Sequence, residues 1–342
     1  MSDALRFDKR RAALPLALAC VAALLPIFAT SSYLRFVAAL TLMYMTVATA
    51  WNILGGLTGY VSLGHAAFFG FGAYAAGIAV VRLDLAHTWV VLPAGLLTGV
   101  VAGLIGRAAL RARAGSFVIL TLTLVYISGL VAQGWRGLTG GSRGIIVPNI
   151  YGVPRTELHV RFYYVFLALL VITLMTWWVI RRSRFGLAFM ALRDDEDRAE
   201  SLGIPTTTLK MCAFVLSASL TGLAGAAYAL WFRLLDPGFV FSIGWSASVA
   251  LMALLGGTRH LWGPCLGALI LVPSGEYLLH EFGTSEIHLA LSGALLIVVV
   301  LVLPGGVIPA LQNLRARRRI VEPFDEDARS AMPRRTTAGV IP

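Results

Sequence analysis

Ten apolar runs, each close to the length of a membrane-crossing helix, dominate this chain: 14–31, 35–55, 63–82, 88–107, 116–134, 162–180, 210–231, 239–257, 261–279 and 287–304. About 20 apolar residues in a helix cross roughly 30 Å of hydrocarbon. Lipid offers no hydrogen-bonding partner to the backbone, so such runs predict helices rather than open strands or loops. The expected fold class is an all-α polytopic membrane protein with about ten transmembrane helices. Composition agrees: 58% hydrophobic and 13% charged residues, with a mean hydropathy of +0.80, lie outside the soluble range. One transmembrane domain over 14–310 follows, between a cytoplasmic N-terminal tail (1–13) and a polar, disordered cytoplasmic tail (311–342).

The net charge of +11 would suit nucleic acid, but the basic residues form no stripe. They cluster at the ends of apolar runs, the mark of membrane topology. Placing both termini in the cytoplasm puts about three-quarters of the 28 Lys and Arg residues inside, including Arg107, Arg111, Arg113, Arg259 and Arg315–Arg319. Removing the 239–257 span would move the basic C-terminal tail outside, so ten spans give the better solution. Arg6, Lys9, Arg10 and Arg11 before an apolar run imitate a secretory leader, yet Pro26 and the many later spans favour a first membrane helix. The basic start of the C-terminal tail suits anionic lipid.

Helix breakers single out two places. Pro237, Gly238 and Gly244 suggest that 239–257 is short, tilted or broken. Gly55, Gly56, Gly59 and Gly64 suggest irregular backbone near 59–74. Small residues at four-residue spacing (Gly95, Gly99, Gly103; Ser217, Thr221, Gly225) predict close helix contacts. Cys20, Cys212 and Cys265 lie in apolar runs without metal-like spacing and are expected to pack. The glycine-rich segment 135–161, with Pro148 and Pro154, is expected to be a plain external connector, with a contact to a periplasmic partner as the alternative.

The longest charged island, 181–210, holds five of the 17 acids: Asp194, Asp195, Glu196, Asp197 and Glu200. Asp194 is the expected N-cap of a short helix over 195–202, with Asp197 in the capping-box position. Acids in the first turn complement the helix dipole, and Gly203 before Pro205 stops the helix. Glu196, Ala199 and Gly203 at i, i+3 and i+7 share one side, where small residues would admit another backbone. A capped surface helix at the lipid headgroups is the plainer alternative.

The run from Arg193 to Ile204, with Lys210 and Ala213-Phe214, resembles the cytoplasmic loop of ABC-importer permeases, its E-x-x-A-x-x-x-G signature being Glu196, Ala199 and Gly203. The block G-Y-V-S-L-G-H-A-A-F-F-G-F-G-A-Y from Gly59 to Tyr74 after Trp51-Asn52, the Thr139–Gly144 block, and Gly256-Gly257 with Gly263-Pro264 and Gly267 extend the likeness over about 50–270. It is closest to the branched-chain amino acid (LivM-type) permease family. Arg143 departs from the family, which often has an acid there, as does Asp197-Arg198, where an apolar residue and Ala are usual. The resemblance implies an ABC-importer permease fold in the bacterial inner membrane. It also implies a second, homologous permease, two ATPase subunits docking on the permease loops, and a periplasmic binding protein. Arg193, Asp194, Asp195, Glu196, Ala199 and Gly203 would then couple this chain to an ATPase.

No G-x-x-x-x-G-K-[ST] phosphate loop occurs in the sequence, so ATP hydrolysis is expected on other subunits, with no cofactor or metal in this chain. Few acids lie within the runs, which argues against a proton-coupled carrier. Ser62 and His65 lie close in sequence but have no supporting acid beside them, which argues against a membrane protease. Asn52, Thr58, Ser62, His65 and Thr121, with Thr123 and Gln133, are polar groups within or beside spans. They are expected to line a weakly polar path or to satisfy neighbouring helices and backbone. A urea or short-chain amide importer, a channel or facilitator, and a membrane scaffold remain alternatives.

Overall fold

The computed structural model describes residues 31–85, 87–111, 114–149, 152–283 and 306–309, with Pro26. The expected spans at 14–31 and 287–304 and both tails fall almost wholly outside the described residues. The order is α1 (Ser32–Thr58), α2 (His65–Leu83), α3 (His87–Ala109), α4 (Ala114–Gly134), α5 (Arg136–Thr139), a 3-10 turn (Gly141–Arg143) and β1 (Ile145–Ile146). Then come α6 (Arg155–Arg182), α7 (Arg184–Asp194), α8 (Glu196–Ser201), α9 (Thr206–Phe232), β2 (Leu234–Leu235), α10 (Pro237–Val240), α11 (Ile243–Gly256) and α12 (Gly263–Phe282).

Among the described residues, seven helices, not ten, are long and apolar enough to cross a membrane: α1, α2, α3, α4, α6, α9 and the α10–α11 pair. The run at 261–279 does form a helix, α12, but Pro273-Ser274-Gly275-Glu276 dilutes its apolar character. The α10–α11 pair is interrupted at Phe241-Ser242, where Asp236 and Ser242 each cap a new helix start, accepting from the amides of Gly238 and Trp245. Helix α6 begins at Arg155, before the expected 162, and Glu157 and Arg161 pair across its first turns at 2.7 Å.

The core is built on α1 and α9. Helix α9 packs along α2, α3 and α1, while α1 also carries α6 and α12. Small side chains make this possible. A Cβ on Gly72 or Gly225 would collide with the carbonyl of Gly222 or Phe69, so the α2 and α9 backbones touch. Gly95 and Gly99 of α3 meet Leu223 and Ser219 of α9, as the four-residue spacing predicts. Gly256 and Gly263 bring α11 and α12 into backbone contact in the same way. Cys265 is buried and Cys212 exposed; both are free thiols.

The connector expected at 135–161 is a knitted structure. β1 pairs antiparallel with β2, Ile145 opposite Leu235. Val147 and Arg233 add reciprocal bonds of 2.8 and 3.1 Å.

Candidate coupling and translocation site

Between α1 and α2 the chain abandons the helix for residues 59–64 only; Gly55 and Gly56 stay within α1 and 65–74 is regular helix, so the irregular stretch is shorter than the expected 59–74. Gly59, at φ 79°, ends α1 in the left-handed region open to glycine. Backbone groups freed from the two helices must be satisfied, and the nearby polar side chains do this. Thr58 Oγ1 bonds the Leu54 carbonyl at 2.7 Å and accepts from Tyr60 N at 3.2 Å. Ser62 Oγ accepts from Gly64 N at 3.2 Å, and its carbonyl receives Trp51 Nε1 at 2.7 Å. Thr121 Oγ1 of α4 accepts from Leu63 N at 3.1 Å. Ser246 of α11, absent from the expected site, donates to the Leu63 carbonyl at 2.7 Å.

Asn52 and His65 differ. Both are buried, at 0% and 1% exposure. Among the described residues, neither the amide atoms of Asn52 nor Nδ1 of His65 has a hydrogen-bond partner. His65 Nε2 lies 2.8 Å from Ser217 Oγ, and Ser217 Oγ lies 2.6 Å from the Ala50 carbonyl. A carbonyl only accepts, so Ser217 gives its proton to Ala50 and Nε2 must carry one. The remaining nitrogen, Nδ1, is therefore a bare acceptor.

The charged island holds two helices rather than one. α7 lies before the expected 195–202 helix; Arg184, Phe185 and Leu187 are exposed on it, while Phe189 and Leu192 turn inward. That alternation at helical spacing was the available signal. Asp194 closes α7, and the N-cap of α8 is Asp195, whose side chain accepts from Arg198 N at 3.1 Å. The displacement follows from α7, which takes Asp194 into its own last turn. Asp195 also pairs with Arg198 at 2.9 Å. The stop at Gly203 is observed: its φ is 80°, its amide bonds the Glu200 carbonyl at 2.9 Å, and Ile204 N bonds the Ala199 carbonyl at 3.1 Å. These two bonds form a Schellman closure.

The three signature residues do not share one exposed face. Ala199 is buried, Gly203 stands in the open, and Glu196 turns toward the membrane block. Glu196 binds Lys210 Nζ at 2.5 Å and accepts from the Tyr60 hydroxyl. Burial, then that bond to Glu196, push the Tyr60 phenol above its ordinary value. Arg193 donates to the Gly56 carbonyl at the end of α1. The tip of α8 exposes Asp197, Arg198, Glu200, Ser201 and Leu202, the last at 79%.

A further stripe, on α4, interleaves the polar Ser116, Thr123, Tyr126 and Gln133 with the apolar Ile119 and Leu130. All six are exposed, at three- and four-residue spacing. Their helical period was the signal that would have joined them.

Seven helices long and apolar enough to cross a membrane, with a capped loop tied to the 59–64 segment, mark an integral membrane protein. A family model described as the branched-chain amino acid transport system / permease component matches residues 33–300, and the chain belongs to that family. It is 29% identical over 300 residues to the high-affinity branched-chain amino acid transport system permease protein LivM of Salmonella typhimurium, covering 80% of this chain and 69% of the relative. It is 27% identical over 286 residues to LivH of Escherichia coli K12, covering 78% and 91%, and 25% identical to BraD of Pseudomonas aeruginosa over the same shares. No solved structure matches it.

Proposed function

We propose that this chain is the membrane-spanning subunit of an ATP-driven importer of the bacterial inner membrane, passing a small amino acid, branched-chain by the names of its relatives. Both termini lie in the cytoplasm. It pairs with a homologous permease, and a periplasmic binding protein delivers the substrate. Two ATPase subunits dock on the permease loops and hydrolyse ATP, since this chain contains no phosphate loop. The carrying observation is the closed loop helix α8, capped at both ends, with its tip open and its root tied into the membrane block.

In this reading Arg193, Asp194, Asp195, Glu196, Ala199 and Gly203 belong to the coupling element, and Leu202 adds an apolar tip that a groove on the ATPase would bury. Polar side chains facing lipid are costly, so the α4 stripe faces the substrate path made with the second permease. Asn52 and His65 supply spare buried hydrogen-bonding atoms. Thr58, Ser62 and Thr121 hold the break in shape.

A mild-detergent pull-down of the tagged chain from its native membrane tests this reading. Recovery of an ATPase, a second permease and a binding protein supports it, and the binding protein can then be screened against leucine, urea and short amides. Recovery of the chain alone, with leucine flux persisting in ATP-free vesicles, replaces it with a facilitator.

A further inference from the structure

Four separate elements converge on one buried ammonium. Lys210, at the start of α9, has a side chain only 5% exposed. Its Nζ reaches Glu196 of α8 at 2.5 Å, the Tyr60 hydroxyl of the break at 3.3 Å and the Leu110 carbonyl beyond α3 at 3.5 Å. It also lies 4.8 Å from the centre of the Tyr60 ring. Tyr60 closes the triangle by donating to the second Glu196 oxygen. Lys9 and Lys210 are the only lysines in the sequence. A compact ammonium with three donors fits three acceptors arranged about a point, which a planar guanidinium does not.

A buried ion pair adds little net stability, because desolvation offsets its attraction. What it supplies here is a short, stiff link. Helix α8 has six residues, too few to hold its own geometry. Its position is set by the Glu196 link, by the Arg193 bond to Gly56 and by buried Ala199. Displacing α8 must therefore pull on Tyr60 and Lys210 together.

We infer that Tyr60, Glu196 and Lys210 form the joint that carries movement of the loop helix into the 59–64 break and the start of α9. They are positioning residues, and the inference rests on the importer reading above. In that reading the E-x-x-A-x-x-x-G glutamate is an inward-facing transmitter, while contact with the ATPase falls to the tip around Leu202.

The test uses the complex purified from its native membrane, with Cys20, Cys212 and Cys265 replaced and one reporter cysteine at Val61 or Leu202. Both positions are exposed, at 37% and 79%. Maleimide labelling is compared without nucleotide and after trapping with ATP and vanadate. With the joint intact, labelling changes at both positions. In Glu196→Gln and Lys210→Met, the change persists at Leu202→Cys and is lost at Val61→Cys. Persistence at Val61→Cys in both variants overturns the joint. Loss at Leu202→Cys in both variants overturns it too, since the triad would then serve docking or folding. If no ATPase accompanies the intact chain, the importer reading fails and the joint falls with it.

Discussion

Helices α9 and α4 are both strongly apolar, yet the structure uses them in opposite ways. The most apolar stretch of α9 is 78% buried inside the chain, whereas that of α4 is 33% buried, although α4 has the higher hydropathy. In lipid, hydropathy decides whether a helix enters the membrane, not what it packs against. The spacing of small residues decides that. Ser217, Gly222 and Gly225 let α9 touch its neighbours. Helix α4 instead leaves Ser116, Thr123, Tyr126 and Gln133 open.

The sharpest way to break this contrast is to add bulk. Leucine at Gly225 would drive into the Phe69 backbone, whereas Gly134, at the end of α4, has nothing within 4 Å of a new Cβ. Overpacking of this kind costs about 3 kcal/mol or more when backbone must move. Gly225→Leu is therefore expected to abolish recovery of monodisperse protein in detergent size-exclusion chromatography, and Gly134→Leu to leave it unchanged. Equal losses would show that α4 packs as tightly as α9.

Removing polarity from α4 should reverse the ranking. Gln133→Leu together with Tyr126→Phe makes this face more lipid-like and leaves folding intact. If the stripe lines the proposed path, losing polar contacts worth about 1.4 kcal/mol corresponds to roughly tenfold slower transport. ATP-driven leucine uptake is expected to fall by that factor while the ATPase still co-purifies. Unchanged uptake would assign the stripe to a protein contact away from the path.

The same contrast governs what could be read in the sequence. The seven spans were legible because an apolar run of that length has few other solutions. The break at 59–64 and the interruption near Phe241 were legible because glycine and proline punctuate locally. The stop at Gly203 followed from one residue's backbone freedom. Less was visible where distant residues decide the outcome. Asp194 and Asp195 are equally good caps by composition, and the choice fell to Asp195 because α7 precedes it. The inward turn of Glu196 depends on Tyr60 and Lys210, separated from it by 136 and 14 positions. The exposure of the α4 stripe depends on which neighbours α9 occupies.

The smallest expected effect sharpens the comparison at a single hydroxyl. Ser217 and Thr123 are both hydroxyl residues on spanning helices. Thr123 only bonds back to the Ile119 carbonyl of its own helix, at 2.9 Å. Ser217 joins three helices, through Ala50 of α1 and His65 of α2. Ser217→Ala leaves the proton on His65 Nε2 without an acceptor in a buried site. Interhelical hydrogen bonds in membranes contribute about 0.6 kcal/mol on average, and an orphaned donor adds to the loss, so about 1 kcal/mol is expected. For a chain of this size that lowers the thermal midpoint in detergent by about 2 °C. Thr123→Val removes only a local bond on an exposed face and should leave the midpoint unchanged. Equal shifts in the two variants would mean that the His65–Ser217–Ala50 chain contributes no more than a hydroxyl bonded to its own helix.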